Sequence, residues 1–208
     1  MPTPTLQDQF GSIDIYLFDQ LLKGNISPEM KILDAGCGFG RNLVYFLREG
    51  YEVFAADQSA DCVEHVRGMA RGLPATNFRI EAVERMSFAD ACADVVISNT
   101  VLHLAAGDSQ FEAMLQGTWR VLKSGGLFFC RLASTIGMEK EFVSLGGRRY
   151  RSPDGAERYL VDAAMLHELT ERLGGAMVEE IKTTVVEGKR AMTTWVVQKN
   201  SQKQIGNG

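Results

Sequence analysis

The sequence lacks the features that would place the chain in a membrane or on a nucleic acid. Within its 208 residues, no apolar run approaches the roughly 20 residues of a membrane-spanning helix. The start of the chain lacks the basic-then-apolar order of a signal peptide. Basic residues are not in excess, since 22 Lys and Arg stand against 26 Asp and Glu, and binding to phosphates needs a basic face. We therefore expect no membrane or nucleic-acid partner and a cytoplasmic location.

Cysteine is also scarce, and its spacing is irregular. The four residues are Cys37, Cys62, Cys92 and Cys130, with no C-x-x-C pair among them. Zinc sites and disulfide frameworks have closer and more regular spacings. We therefore expect free, buried thiols and no metal site.

What is present is the composition of an ordinary globular domain, with 45% hydrophobic and 23% charged residues. Strand-like segments alternate with segments of helical periodicity, and we expect Asp108 to cap one of the helices. The predicted strands span residues 31–35, 51–56, 77–81, 94–98 and 127–132. This alternation predicts an α/β fold with a parallel, doubly wound sheet.

The last third of the chain has a different pattern. Residues 134–161 are rich in Gly, Arg and Ser without a hydrophobic period, and a connection of this length in a compact domain is usually functional. Asp162 predicts the cap of another helix. Strand-like runs at 176–186 and 191–197, joined by Glu-Gly-Lys, predict a terminal hairpin.

We find no repeat and no second domain, so residues 1–199 are predicted to form one domain. A helix is expected over residues 10–22. We expect the first ten residues to lack regular structure and residues 200–208 to form a disordered tail.

A glycine-rich turn carries the strongest functional signal. Residues 32–42 read Ile-Leu-Asp-Ala-Gly-Cys-Gly-Phe-Gly-Arg-Asn at a strand-to-helix turn, and Asp57 ends the next strand. Glycines let a ligand approach the backbone, and an acid at that strand end can bind both hydroxyls of a ribose. Alternatively, the glycines only form the turn and Asp57 is a solvated acid. A P-loop would need Gly-Lys-Ser/Thr, and a dinucleotide site prefers glycine at position 41, where the chain has Arg41.

Four segments resemble the ordered motifs of class I S-adenosylmethionine-dependent methyltransferases. Residues 32–41 resemble motif I, 53–59 the acidic motif after it, 94–99 the fourth-strand motif, and 120–126 the Arg-Val-Leu-Lys-Pro-Gly-Gly turn, with Ser124 in place of proline. The resemblance implies a Rossmann-like sheet of seven strands, mostly parallel, with an antiparallel strand in the C-terminal hairpin. Residues 40–42 and 50–57 are further similar to the TehB-like tellurite-resistance branch.

The resemblance also implies where the cofactor, S-adenosylmethionine, and its product, S-adenosylhomocysteine, bind. Residues 36–40 would hold the methionine part, with Asp34 helping to fix it. Asp57 would bind the ribose, and Gln58 would contact the adenine together with residues 81–84. Ala82 stands where many family members have Asp, which leaves pairing to the backbone of Val83. Asn99 would lie near the methyl group. The implied cofactor residues are Asp34, Gly36, Cys37, Gly38, Gly40, Asp57, Gln58, Ala82, Val83, Glu84 and Asn99.

Methyl transfer is an in-line displacement that needs alignment more than acid–base chemistry. A neutral hydroxyl or protonated amine would also need a base, whereas an anionic acceptor would not. His103, on the loop after the fourth strand, is the candidate base, with a pKa expected near neutrality; alternatively it only packs there. By analogy with the family, residues 8–24 would form a helical lid in which Tyr16 covers the methyl group; alternatively Tyr16 is a core aromatic.

Arginines in the 134–161 insertion are candidates for substrate binding. Arg148, Arg149 and Arg151, with Arg158 close behind, can clamp a carboxylate or phosphate, and the flanking glycines suggest a flap or hairpin. The alternative is a solvated charged loop.

We therefore expect a methyltransferase for a small, anionic molecule, acting as a monomer or homodimer. Three alternatives stay open: a non-catalytic module that binds the cofactor, an RNA or protein methyltransferase, and a dehydrogenase. No Asn-Pro-Pro-Tyr-type motif follows the fourth strand, which argues against a base-methylating enzyme, and Arg41 argues against a dehydrogenase.

Overall fold

The computed structural model describes residues 5–201. Five parallel strands make up its main sheet from one edge inward: β1 (Ile32–Ala35), β2 (Val53–Asp57), β3 (Phe78–Ile80), β4 (Ala93–Asn99) and β5 (Leu122–Ser134). Their order is β3-β2-β1-β4-β5, so the winding direction reverses between β1 and β4. The predicted parallel, doubly wound sheet is confirmed. In such sheets ligands bind beyond the carboxyl ends of the strands at the point of reversal.

A small antiparallel sheet occupies the segment predicted as a long irregular insertion. It consists of β6 (Val143–Gly146), β7 (Arg149–Arg151) and β8 (Glu157–Tyr159), in that order. The turn between β6 and β7 uses Gly146 and Gly147, whose φ angles are 105° and 55°. The hairpin suggested by the flanking glycines is present, but strands of three or four residues are too short to give a clear hydrophobic period, so the sequence did not locate them.

The C-terminal strands complete the main sheet at its other edge. β9 (Gly175–Met177) and β10 (Lys182–Val186) both pair with β11 (Arg190–Lys199), which is antiparallel to β5. The path of seven strands and its antiparallel end match the prediction, and β9 adds an eighth strand. The run predicted as one strand over 176–186 is thus divided into two.

Six α-helices cover the sheet in the described part of the chain: α1 (Leu6–Phe10), α2 (Ile15–Leu22), α3 (Val44–Arg48), α4 (Ala60–Met69), α5 (Asp108–Val121) and α6 (Ala163–Arg172). Asp162 caps α6 as predicted, and Ser59 caps α4. None of these helices, within residues 5–201, is long and apolar enough to cross a membrane.

Three predictions of helix boundaries are wrong. The helix expected from residue 10 begins at Ile15, because Asp14 caps it by accepting a hydrogen bond from the Tyr16 amide. Residues 6–10, expected to lack regular structure, form α1 under a Thr5 capping box. Asp108 is the first residue of α5 rather than its cap; its carboxylate accepts the Tyr159 hydroxyl at 2.8 Å. Residues 1–4 and most of the predicted tail, 202–208, lie outside the described residues.

Apolar side chains are buried on both faces of the sheet, as a doubly wound fold requires. One core packs under α5 and α6, around Phe128 and Trp195. The other packs under α2, α3 and α4, around Phe46 and Phe129. Adjacent residues of β5 therefore point into opposite cores, and the loops at the strand ends are held from both sides.

Candidate active site

The three glycines after β1 have different structural roles. All have positive φ, at 84° for Gly36, 50° for Gly38 and 73° for Gly40. A Cβ on Gly36 would lie 2.4 Å from the Val101 side chain, and one on Gly40 would lie 2.6 Å from Met69. A Cβ on Gly38 would meet no atom within 4 Å. Two glycines are thus required by packing, whereas Gly38 leaves open space above the strand end.

Asp57, at the end of β2, fixes this loop. One carboxylate oxygen accepts the Gly38 amide at 2.9 Å, and the other accepts the Ser59 amide at 2.9 Å. The side chain is only partly buried. Because each oxygen keeps a lone pair free, the carboxylate can still accept hydrogen bonds from two hydroxyls of a ligand.

A cavity of about 330 Å³ opens beside the loop; we call it the glycine-loop cavity. Most of the predicted cofactor residues line it: Gly36, Gly38, Asp57, Gln58, Ala82, Val83, Glu84 and Asn99. It is also lined by Thr100, Val101, Leu104, Gln110 and Met114. The sequence did not indicate the last two, which come from α5, because nothing local reveals where a helix crosses a distant loop. Gln110 donates a hydrogen bond to Glu84 at 3.1 Å.

Three predicted cofactor residues, Asp34, Cys37 and Gly40, do not line the cavity. Cys37 is buried, its amide donates to the Ala56 carbonyl at 3.0 Å, and burial raises the pKa of its thiol. Gly40 packs against α4. Cys37 and Gly40 therefore stabilise the loop from its buried side and do not face the cavity.

Asp34 is a buried carboxylate without a hydrogen bond. It is 1% exposed, and neither oxygen has a partner among the described residues. Burial raises its pKa, Arg41 opposes this rise and Asp57 adds to it, with a net pKa of about 7. A buried carboxyl group without a partner is costly, so this position favours a cationic or hydrogen-bonding ligand.

The end of β4 contributes a second unpartnered group and a strained residue. The Asn99 oxygen accepts a hydrogen bond from Arg41 at 2.7 Å, while its amide nitrogen is buried without a partner in residues 5–201. Thr100 follows with φ at 65°, a conformation that is rare for a β-branched residue and costs about 1–3 kcal/mol. Its amide donates to the Arg131 carbonyl at 2.7 Å.

Thr100 also lines a second cavity, of about 340 Å³, which we call the arginine cavity. Residues from six separate parts of the chain surround it: Asp14, Arg41, Thr100, His103, Arg131, Arg158, Arg190 and Met192. Four of them are arginines. The carboxyl ends of β4 and β5 thus separate a glycine-rich cavity from a strongly basic one.

The arginines differ in how their charge is compensated. Arg131 donates to Asp14 at 2.7 Å, and Asp14 is itself buried. Arg41 lies 3.8 Å from the same carboxylate, and Arg158 lies 3.4 Å from Asp154. Arg190 forms no ion pair within the described part of the chain. Positive charge therefore exceeds negative charge around this cavity.

His103 is held in its neutral form. It is 5% exposed, and its Nδ1 accepts the Ala133 amide at 3.1 Å, so the neutral ring carries its proton on Nε2. Burial, together with a smaller effect of the nearby Arg158, lowers its pKa to about 4. The expectation of a pKa near neutrality is wrong, because the strand edge encloses the imidazole. In this arrangement the Nε2–H group can donate a hydrogen bond. The Nδ1 lone pair already accepts the Ala133 amide, so it is not free to take a proton from a substrate.

Comparison with known proteins identifies the family. Residues 33–130 match the profile of a family described as a methyltransferase domain. The matched segment is a methyltransferase domain of the class I S-adenosylmethionine-dependent type. The finer resemblance to the TehB-like branch stays a prediction.

Individual relatives agree with this assignment. An uncharacterized methyltransferase of Synechocystis sp. is 32% identical over 104 residues, which are 50% of this chain and 47% of that protein. The chain thus spans about half the length of this curated relative. A methyltransferase from Methanosarcina mazei has the same fold, with a TM-score of 0.71 at 18% identity over 88% of this chain and 98% of the other.

A third relative was solved with ligands. It is the 1,6-didemethyltoxoflavin-N1-methyltransferase of Burkholderia thailandensis, with bound 1,6-didemethyltoxoflavin and S-adenosylhomocysteine. Its TM-score is 0.67 at 16% identity, over 94% of this chain and 81% of the other. At such identities the likeness is one of fold.

Within this methyltransferase domain, Tyr16 does not line either cavity. Its hydroxyl lies 2.8 Å from the Thr184 hydroxyl, and its ring centre lies 4.9 Å from the Arg131 guanidinium. Tyr16 therefore contacts the site through Arg131. Its predicted position over the methyl group, and the lid over residues 8–24, stay predictions.

The domain does not bring Arg148, Arg149 and Arg151 into the arginine cavity. Arg149 and Arg151 lie on the face of the small sheet that carries Glu157, whereas Arg158 pairs with Tyr150 on the opposite face. Arg148 donates to Asp162 at 2.8 Å, and Arg151 to Glu157 at 2.6 Å. Because side chains alternate along a strand, only Arg158 of this group reaches the cavity.

Proposed function

We propose that this chain binds S-adenosylmethionine in the glycine-loop cavity and transfers its methyl group to a small molecule. The observation that carries the proposal is the glycine-loop cavity itself. Residues assigned to the cofactor from the resemblance alone, which come from the ends of β1, β2 and β4 and from the turn after β3, surround one space at the reversal point of the sheet. Such a point is where doubly wound folds bind nucleotide-like ligands.

The unpartnered groups at the site fit this cofactor. Its ammonium group suits the buried, unpartnered carboxyl of Asp34, and the free amide nitrogen of Asn99 suits its carboxylate. Asp57 would accept the ribose hydroxyls, and the backbone of Val83 would pair with the adenine. Gly38 leaves the room that a side chain would fill. When bound, the cofactor supplies a methyl group on a positively charged sulfur.

The residues around the site act by positioning. In-line displacement requires the acceptor and the methyl group to be aligned and water to be excluded, which can supply roughly 7–11 kcal/mol of the barrier. Thr100 is held rigidly by its bond to the Arg131 carbonyl and lies between the two cavities. The acceptor would enter from the arginine cavity. That cavity favours a catalytic role over a module that only binds the cofactor, since binding alone needs no second site.

Isothermal titration with S-adenosylhomocysteine tests the cofactor site. We expect micromolar binding, about −8 kcal/mol, weakened at least tenfold by Asp57→Ala. Asp61→Ala, an exposed acid in the first turn of α4, is the matched control and should bind as the wild type does. A folded wild-type protein that binds neither S-adenosylhomocysteine nor S-adenosylmethionine would refute the proposal and favour a dehydrogenase. Binding without methyl transfer to any acceptor, including RNA and protein, would favour the non-catalytic module.

A further inference from the structure

The arginine cavity adjoins the proposed methyl donor. Thr100 lines both cavities, and the hydrogen bond from Arg41 to Asn99 joins a residue of one cavity to a residue of the other. A molecule in the arginine cavity therefore lies next to the residues assigned to the methionine end of the cofactor. This position makes the cavity the candidate acceptor site.

The size of the cavity limits what it can hold. Its volume of about 340 Å³ is near the lower end of the roughly 300–1,000 Å³ of small-molecule sites. It is bounded on separate sides by the residue that caps α2, by β8 and by β11. A compact molecule fits such a space better than a peptide or a nucleic-acid strand.

The charge of the cavity favours an acceptor with more than one anionic group. Of its four arginines, Arg131 is neutralised by Asp14, and Arg158 is partly neutralised by Asp154. Arg41 donates to the neutral amide of Asn99 and lies 3.8 Å from the Asp14 carboxylate that Arg131 already binds, and Arg190 has no ion pair among the described residues. A single carboxylate would leave one of these two guanidinium groups uncompensated. Guanidinium binds carboxylates in a bidentate manner.

The cavity offers no free general base. The Nδ1 lone pair of His103 accepts the Ala133 amide, and Asp14 is occupied by Arg131 and by the Tyr16 amide. An acceptor must therefore carry a free lone pair before it binds, and the arginines of the cavity favour one that is anionic. Carboxylic acids, with ordinary pKa values near 4, are ionised at neutral pH, whereas thiols near 8.5, phenols near 10 and alkylamines near 10.4 are mostly protonated.

We propose that the acceptor is a small di- or tricarboxylate methylated on a carboxylate oxygen, an inference that rests on the function proposed above. A lone pair of that oxygen forms the bond to the methyl carbon, and the electron pair of the S–CH₃ bond stays on sulfur. The sulfonium becomes a neutral thioether and the carboxylate a neutral ester, so no proton moves. Arg41 and Arg190 hold the other carboxylate groups, and the Nε2–H of His103 donates a hydrogen bond to the acceptor.

Binding measurements test the site without relying on turnover. Four- to six-carbon di- and tricarboxylates, including propane-1,2,3-tricarboxylate, are titrated into protein saturated with S-adenosylhomocysteine. The triamide of the same molecule and inorganic phosphate are the neutral and single-anion probes. We expect at least one polycarboxylate to bind at least tenfold more tightly than both probes. No polycarboxylate preference in a protein that binds S-adenosylhomocysteine would overturn the inference and leave the proposed cofactor site intact.

Arginine variants locate the bound polycarboxylate. Arg190→Gln removes an exposed cation without an ion partner, and we expect its dissociation constant for the polycarboxylate to rise at least tenfold with unchanged S-adenosylhomocysteine binding. Arg71→Gln, exposed and distant from the cavity lining, is the control and should bind as the wild type does. If Arg151→Gln weakens polycarboxylate binding and Arg190→Gln does not, the acceptor lies against the small sheet and the assignment is wrong.

The product and the pH profile test the chemistry. A carboxyl methyl ester releases methanol in dilute alkali, whereas methylated amines, phenols and thiols do not. Because no base acts on the acceptor, we expect kcat/KM for the polycarboxylate, measured at saturating S-adenosylmethionine, to stay within about twofold between pH 6.5 and 8.5. An alkali-stable product, or a rate that rises tenfold per pH unit, would show that another class of acceptor is used.

Discussion

Among single residues, Asp34 gives a direct test of the proposed cofactor site, because it is buried without a partner among the described residues. Burial holds its pKa at about 7 without ligand, so it is protonated at pH 6. A cationic ammonium group nearby favours the ionised form and lowers the pKa. Proton release should therefore accompany binding below pH 7.

We expect S-adenosylhomocysteine to bind more tightly as pH rises from 5.5 to 8, with the change centred near pH 7. At pH 6 the titration heat should differ between buffers of different ionisation enthalpy. Asp34→Asn should remove both effects. Wild-type binding that is independent of pH and buffer would show that Asp34 does not respond to the ligand.

His103 lines the arginine cavity, but its hydrogen bonding does not suit the role of general base. Because its Nδ1 accepts the Ala133 amide, we expect His103→Gln to lower kcat by less than tenfold, since a lost general base typically costs about 10²–10⁴ in rate. Steady-state kinetics with the acceptor, once found, check this. A loss of a thousandfold that a shift to higher pH rescues would instead support a base.

At the scale of secondary-structure elements, two glycines of the loop between β1 and α3 have different roles. Gly40 is constrained by packing against α4, whereas Gly38 faces open space and is assigned to ligand binding. Gly40→Ala would place a Cβ 2.6 Å from Met69 and 2.8 Å from Val66 of α4, at φ 73°. Strain and overpacking each cost roughly 1–3 kcal/mol, so we expect Gly40→Ala to lose about 2–5 kcal/mol of unfolding free energy. Gly38→Ala has free space and should lose about 1 kcal/mol from its backbone alone, while weakening S-adenosylhomocysteine binding. Urea denaturation and titration of both variants distinguish the two roles; equal stability losses would contradict this assignment.

The elements also indicate which parts of the fold a sequence can reveal. The buried strands β1, β2, β4 and β5 are continuous apolar runs between turn residues, so local pattern was sufficient to find them. In the insertion, the glycines suggested a flap or hairpin but did not locate the three strands, because strands of three or four residues are held by pairing and by contacts such as Phe111 stacked on Tyr159 at 4.5 Å. Such contacts join residues far apart in the chain.

At the scale of the whole molecule, the two cavities also differ in how far the sequence reveals them. The glycine-loop cavity is built largely from motifs with fixed spacing, and the sequence indicated most of its lining. The arginine cavity joins Arg41, Arg131, Arg158 and Arg190 from a loop and three strands of two sheets. Only the tertiary fold brings them together, and the one-residue alternation of β7 and β8 decides which arginine of the insertion takes part.

Across the whole molecule, Asp34 and His103 couple stability to pH in opposite directions. Unfolded Asp loses its proton near pH 3.8, but folded Asp34 keeps it to about 7; its contribution to stability is complete below 3.8 and is lost as pH rises to 7. An unfolded His binds a proton near pH 6.5, but folded His103 only near 4. Its contribution is present above pH 6.5 and is lost as pH falls toward 4.

The two effects can be separated by measuring melting temperatures of unliganded protein between pH 4.5 and 7.5. Relative to wild type, Asp34→Asn should become progressively more stable as pH rises from 4.5 to 7, because the variant no longer carries the carboxyl that ionises unfavourably. His103→Gln should become progressively more stable relative to wild type as pH falls from 6.5 to 4.5, by several degrees in each case. Asp61→Asn and His65→Gln change exposed residues of α4 and should run parallel to wild type. If Asp34→Asn and His103→Gln also run parallel to wild type, neither group is held in its uncharged form by burial, and the enclosure of both residues beside the two cavities would have to be looser than the structure shows.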